Sequence, residues 1–125
     1  MKSWMLYGAY GYTGKLIAQE AKYRNHYPVL AGRSAEKLIP FAENLNLDYI
    51  VLDLNNEEIL EKTVEEYDLV FNSAGPFKYT SAPMVEACLK TGTNYVDITV
   101  KFLFLNKILN SINKQKKKKL QSYLE

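Results

Sequence analysis

The chain has 125 residues, 47% of them hydrophobic, and carries 16 basic and 14 acidic side chains for a formal net charge of +2. That length holds one globular domain with a real core and is too short for two. A single cysteine (Cys88) and a single histidine (His26) exclude a disulfide framework and any Cys- or His-rich metal site, and no run approaches the roughly 20 apolar residues of a membrane span.

Apolar runs alternate between strand-like and helix-like, the pattern of βα units around a parallel sheet. Trp4 to Tyr7 reads as the first strand, and the breaks at Gly8 and Gly11 argue against a signal peptide. Thr13 to Tyr23 carries Leu16, Ile17, Ala21 and Tyr23 at helical intervals and predicts the first helix. Pro28 to Ala31 makes a second strand ending at Gly32. Ser34 is the expected N-cap of a helix running through Leu45, with Leu38, Phe41, Ala42 and Leu45 on one face and Pro40 implying a short first segment or a distortion. Tyr49 to Leu52 is the third strand. Asn55 or Asn56 caps an acidic helix through Tyr67, whose Glu57, Glu58 and Glu61 suit the positive end of the helix dipole. Leu69 to Asn72 is the fourth strand, Ser81 to Lys90 a helix with Pro83 in its first turn, and Tyr95 to Ile98 the fifth strand. Cys88 falls in an apolar helical pattern and reads as a small buried hydrophobe. The fold expected is α/β: a Rossmann-type doubly wound parallel sheet of order 3-2-1-4-5, followed by a basic C-terminal helix or tail.

In such a sheet ligands bind beyond the carboxyl ends of the strands. After the first strand comes Gly8-Ala9-Tyr10-Gly11-Tyr12-Thr13-Gly14. Glycines spaced by three let the backbone turn tightly, approach a pyrophosphate and pack the next helix on the strand, while the free amides at the helix start face the anion. Gly8, Tyr10, Gly11, Tyr12, Thr13 and Gly14 are therefore candidate cofactor-binding residues. After the second strand comes Gly32-Arg33-Ser34, where an NAD-binding domain places an acid for the ribose 2′-hydroxyl. Arg33 stands there instead, suited with Ser34 to a 2′-phosphate, so NADP is the expected cofactor; a solvated loop charge and a plain cap are the bland readings. Glu36, two residues into the helix, serves the dipole. Asp53, with Leu54, either borders the adenine or caps the next turn. Asn72-Ser73-Ala74-Gly75-Pro76-Phe77 is a run of small residues against which a ribose or nicotinamide can lie, or a turn forced by Gly75-Pro76. Ser73, Ala74, Gly75 and Pro76 complete the candidate set.

These segments, together with Ala87-Cys88-Leu89 and Gly92-Thr93-Asn94-Tyr95-Val96-Asp97-Ile98-Thr99, resemble the bacterial saccharopine dehydrogenase-like oxidoreductases, whose N-terminal NADP-binding domain shares its pattern with mycobacterial trans-acting enoyl reductases. The resemblance implies that Gly8, Gly11, Tyr12, Thr13 and Gly14 hold the pyrophosphate, Arg33 and Ser34 the 2′-phosphate, and Ala74 to Pro76 the nicotinamide side. It also implies a second domain supplying much of the substrate pocket. Lys78, Tyr79 and Asp97 fall near the nicotinamide end, but each is an ordinary loop or strand-end residue, and no catalytic residue is assigned.

Residues 1–99 hold 9 basic and 13 acidic groups, whereas residues 100–125 hold 7 basic and 1 acidic and no Gly, Ala or Pro. The chain is accordingly divided into an NADP-binding domain over 1–99 and an atypical basic segment over 100–125. Where the family pattern continues with Gly-Glu, this chain has Val100-Lys101, and the expectation is a frameshift or early stop that leaves the cofactor domain without its partner domain. Leu105, Ile108, Leu109 and Ile112 fall at helical spacing and suit one face of the sheet. The lysines at 114 and 116–119 read as a solvated run, with no nucleic-acid or membrane partner expected. The expected function is that of the NADP-binding domain of an oxidoreductase, cytoplasmic, with a small-molecule substrate if a second domain is supplied and homo-oligomerisation open. The alternatives are a non-catalytic NADP-sensing or interaction module and a poorly folded remnant.

Overall fold

The computed structural model describes residues 4–75 and 77–97. Five strands and four helices alternate: β1 (Trp4–Tyr7), α1 (Tyr12–Tyr23), β2 (Val29–Gly32), α2 (Ala35–Leu45), β3 (Tyr49–Val51), α3 (Glu57–Val64), β4 (Leu69–Asn72), α4 (Phe77–Thr91) and β5 (Asn94–Asp97). All strand pairs are parallel and the order is β3-β2-β1-β4-β5, as the sequence predicts. The basic segment over 100–125, Ile98, Thr99 and Pro76 lie outside the described residues.

Central β1 is buried on both faces, which is why it reads as a continuous apolar run rather than an alternating one. Leu6 points into a core with Ala9, Ala18, Leu30, Leu38, Ala42 and Leu47, on the side of α1 and α2. Met5 and Tyr7 point the other way, into a core with Leu52, Leu60, Val64, Val70, Met84 and Cys88, on the side of α3 and α4.

The expected caps form. Ser34 Oγ accepts from the Lys37 N–H at 3.4 Å and Asn56 Oδ1 from the Ile59 N–H at 3.2 Å. Helix α2 runs unbroken through Pro40, which is exposed, so the carbonyl it leaves without an N–H partner has access to water. Other bounds move. Helix α3 ends at Val64 rather than Tyr67, and α4 begins at Phe77 rather than Ser81, placing Pro83 inside the helix. The early start of α4 goes with a local side-chain link across the preceding turn. Asn72 Nδ2 donates to Thr80 Oγ1 at 3.2 Å, and that hydroxyl donates to the Ala74 carbonyl at 2.8 Å, which fastens the chain into a turn upstream of Ser81.

The buried face of α1 is not the set of apolar residues whose spacing predicts the helix. Gly14, Ala18 and Ala21 form its buried stripe, while Leu16 and Tyr23 are exposed. Small residues win because the helix sits close against β1, and a larger side chain would hold it away.

Cys88 is buried, as expected of a small hydrophobe, and burial pushes its thiol up from 9.0 to about 12. The unfolded chain ionises this thiol near 9.0 and the folded chain does not, so its contribution to stability is intact below pH 9.0 and is lost as the pH rises to about 12. Tyr7, pushed up by burial from 10.0 to about 12, adds to the upper part of the same window. Urea midpoints should therefore fall between neutral pH and the middle of that window, and Cys88→Ala should make the fall shallower; a fall of undiminished size would remove Cys88 as a cause.

Candidate cofactor cleft

The carboxyl ends of β1, β2, β3 and β4 open onto one cleft of about 790 Å³, within the range of small-molecule sites. Its floor is the turn after β1. Gly8 has φ +81°, and a Cβ there would lie within 2.7 Å of the Ala74 backbone, so only glycine ends this strand without moving β4. The Gly8 N–H donates to the Ala31 carbonyl at 2.8 Å, and the Ser73 N–H to the Tyr7 carbonyl at 2.8 Å, locking β1 between its neighbours. A Cβ at Gly14 would collide with the Gly8 carbonyl oxygen and the Ala9 Cα, so α1 begins in backbone contact with the turn. Gly11 is different: a Cβ there would meet nothing closer than the Gly8 carbonyl oxygen at 3.4 Å. Gly11 is also the N-cap of α1 and supplies no side-chain cap, which leaves the first-turn amides for an outside acceptor.

Gly8, Tyr10, Gly11, Tyr12, Thr13, Arg33, Asp53, Ser73, Ala74 and Gly75 all line this cleft. Gly14 is buried behind it, and Ser34 stands beside Arg33 as the cap of α2. Pro76 lies outside the described residues. Tyr10 does not lie along the phosphate turn: its hydroxyl accepts from the Ser34 N–H at 3.1 Å, so it crosses to the end of β2. Asp53 lines the cleft and also closes the next turn, Oδ1 accepting from the Asn55 N–H at 2.9 Å. Ser73 is buried, its Oγ donating to the Tyr7 carbonyl at 2.8 Å and lying 3.3 Å from that of Gly8; besides presenting a small surface it ties β4 to β1.

Sequence reasoning missed Lys37, which lines the cleft. The signal was its place in the first turn of the helix that directly follows Gly32-Arg33-Ser34. It also missed the polar cluster under the β4 wall. Asn72 Nδ2 donates to Tyr95 Oη at 3.1 Å, Tyr95 Oη donates to Asp97 Oδ2 at 3.0 Å, and Asn72 Oδ1 accepts from the Ala74 N–H at 3.0 Å. Burial raises the Tyr95 hydroxyl well above its ordinary value, so it stays protonated and keeps donating. Asp97, buried and bonded in this cluster, does not line the cleft.

The cleft fits an extended dinucleotide phosphate. Open amides at a helix start accept a pyrophosphate, the small wall of Ser73, Ala74 and Gly75 admits a flat ring, and two cations flank the β2 end, where no carboxylate follows the strand directly.

The family model described as Saccharopine dehydrogenase NADP binding domain matches residues 4–124, a span that includes most of the basic segment after residue 99. A trans-acting enoyl reductase of Mycobacterium leprae is 33% identical over 120 residues, covering 89% of this chain and 28% of the relative. A saccharopine dehydrogenase-like oxidoreductase of Bos taurus is 28% identical over 120 residues, covering 81% of this chain and again 28% of the relative. The chain thus spans a little over a quarter of these relatives. Among solved structures, apo saccharopine dehydrogenase (L-Glu forming) from Saccharomyces cerevisiae shares the fold with a TM-score of 0.73 at 18% identity, over 86% of this chain and 24% of that one.

The two inner glycines should separate in experiment. Gly14→Ala, which must push α1 off the turn, is expected to cost about 1–3 kcal/mol of stability, read as a lower urea midpoint. Gly11→Ala should cost under about 1 kcal/mol yet weaken NADPH binding several-fold by titration; unimpaired binding would show that no ligand approaches Gly11 closely.

Proposed function

The chain belongs to the saccharopine dehydrogenase NADP binding domain family, and from that premise we propose how its cleft holds the cofactor and what the domain contributes to a reaction. The first-turn amides of Tyr12, Thr13 and Gly14 take the pyrophosphate, and Arg33 takes the ribose 2′-phosphate with charge-assisted bonds. Leu54 borders the adenine with Asp53, whose Oδ1 is already engaged in its turn. Ser73, Ala74 and Gly75 form the surface for the nicotinamide side.

The observation that carries this reading is the arrangement of one cleft: the uncapped start of α1 and the Arg33 side of β2 open onto the same space, with the small β4 wall opposite. When bound, NADPH supplies a hydride to a carbonyl, imine or enoyl carbon, or NADP accepts one. This chain's residues bind and orient the dinucleotide; the substrate is a small molecule whose pocket is built mainly by residues beyond this domain. Cytoplasmic location belongs to the same reading. Among the described residues no helix is long and apolar enough to cross a membrane.

A non-catalytic NADP-sensing or interaction module is the second reading. It would rest on a contact surface along the edge strand β5, where Val96 is one exposed apolar side chain. Assay of hydride transfer alongside partner capture divides the two.

Titration of the purified chain should give tighter binding of NADPH than of NADH. Arg33→Ala should weaken NADPH about tenfold or more, the worth of a charge-assisted contact, and NADH much less. Equal losses for the two cofactors would refute the 2′-phosphate assignment, and binding of neither would refute the cleft.

A further inference from the structure

Tyr10 belongs by sequence to the glycine turn but makes its contacts at the other phosphate end. Its ring occupies the space over Gly32, where a Cβ would collide with it. Its hydroxyl accepts from the Ser34 N–H at 3.1 Å, and the Lys37 Nζ lies 6.0 Å from its ring centroid. Ser34 Oγ in turn accepts from the Lys37 N–H at 3.4 Å. Gly32, Ser34 and Lys37 are thereby tied to one aromatic ring, and Arg33 sits between the first two.

We propose that Tyr10 is the positioning residue of the 2′-phosphate end, fixing the Arg33 backbone and holding Lys37 over the cleft as a second cation for the phosphate monoester. Both neighbours of Arg33 are held by Tyr10, one by packing and one by a hydrogen bond, so the guanidinium starts from a fixed backbone. Lys37 leaves the first turn of α2 on the cleft side, and the ring face steers its ammonium there. A phosphate dianion takes both cations, whereas a ribose 2′-hydroxyl gains little from either. Tyr10 should therefore act on the choice between cofactors more than on pyrophosphate binding.

The inference rests on the cofactor placement proposed above, and the test separates the two. Dissociation constants for NADPH and NADH are measured for the unaltered chain, Arg33→Ala, Lys37→Met, Tyr10→Phe and Tyr10→Leu. Tyr10→Phe keeps the ring and removes the acceptor for the Ser34 N–H; Tyr10→Leu removes both. The preference for NADPH, taken as the ratio of the two constants, should fall about threefold in Tyr10→Phe and about tenfold in Tyr10→Leu and Lys37→Met. An unchanged ratio in Lys37→Met, or parallel losses of both cofactors in the Tyr10 variants, overturns the proposal. If Tyr10→Leu melts, as circular dichroism would reveal, Tyr10→Phe and the surface variant Lys37→Met decide. A ratio that falls in Arg33→Ala alone overturns this inference and leaves the placement standing. Equal binding of the two cofactors by the unaltered chain overturns both.

Discussion

The end of β1 is the point on which the molecule turns. Its last carbonyl, at Tyr7, accepts both the backbone N–H and the hydroxyl of Ser73, and the next N–H, at Gly8, is given to Ala31. With β2 and β4 bound this closely on either side, the chain has one exit, a left-handed turn at Gly8 against the Ala74 backbone. That exit places the start of α1 at the mouth of the cleft, and Gly14 lets the helix settle on the turn. The open helix start at this site is thus a consequence of bringing the turn, the start of α1 and the end of β4 into backbone contact at Gly8 and Gly14.

From this point the cleft divides into two unlike walls. On the β2 side Arg33 projects from the turn whose Ser34 N–H bonds Tyr10, and Lys37 from the first turn of α2, giving a cationic end. On the β4 side the chain is small and neutral, and its rigidity comes from beneath. Asn72, Thr80 and Tyr95 satisfy one another and fix Ala74 at both its N–H and its carbonyl. Among the described residues no buried side-chain polar atom is left without a partner. A fully bonded polar cluster holds one geometry where an apolar filling tolerates several. The asymmetry matches a ligand with phosphate at one end and a flat ring at the other.

Much of this was legible locally. The glycine spacing, Arg33 in the place of an acid, and the small run after β4 each announce a function at a strand end, because backbone approach and charge restrict residue type directly. Less legible was what depends on particular contacts. Pro83 reads as a first-turn proline until Asn72, eight residues before Thr80, is seen to start α4 earlier. Leu16 and Tyr23 help mark α1 by their spacing, yet the close seat of the helix buries Gly14, Ala18 and Ala21 and leaves those two exposed. Lys37 is an unremarkable helix lysine until Tyr10 comes within reach of it.

The sequence by itself determined the alternation of strands and helices, the cofactor class and most residues of the cleft, since these follow from periodicity, glycine geometry and charge within short windows. Only the tertiary structure decided which way Tyr10 points, which face of α1 is buried, where α4 begins and that Asp97 is taken up in a buried cluster. Except for the start of α4, which follows a side-chain link within eight residues, those outcomes depend on what a residue meets across the sheet or between strand ends, and such neighbours are brought together by the parallel crossovers rather than by proximity along the chain.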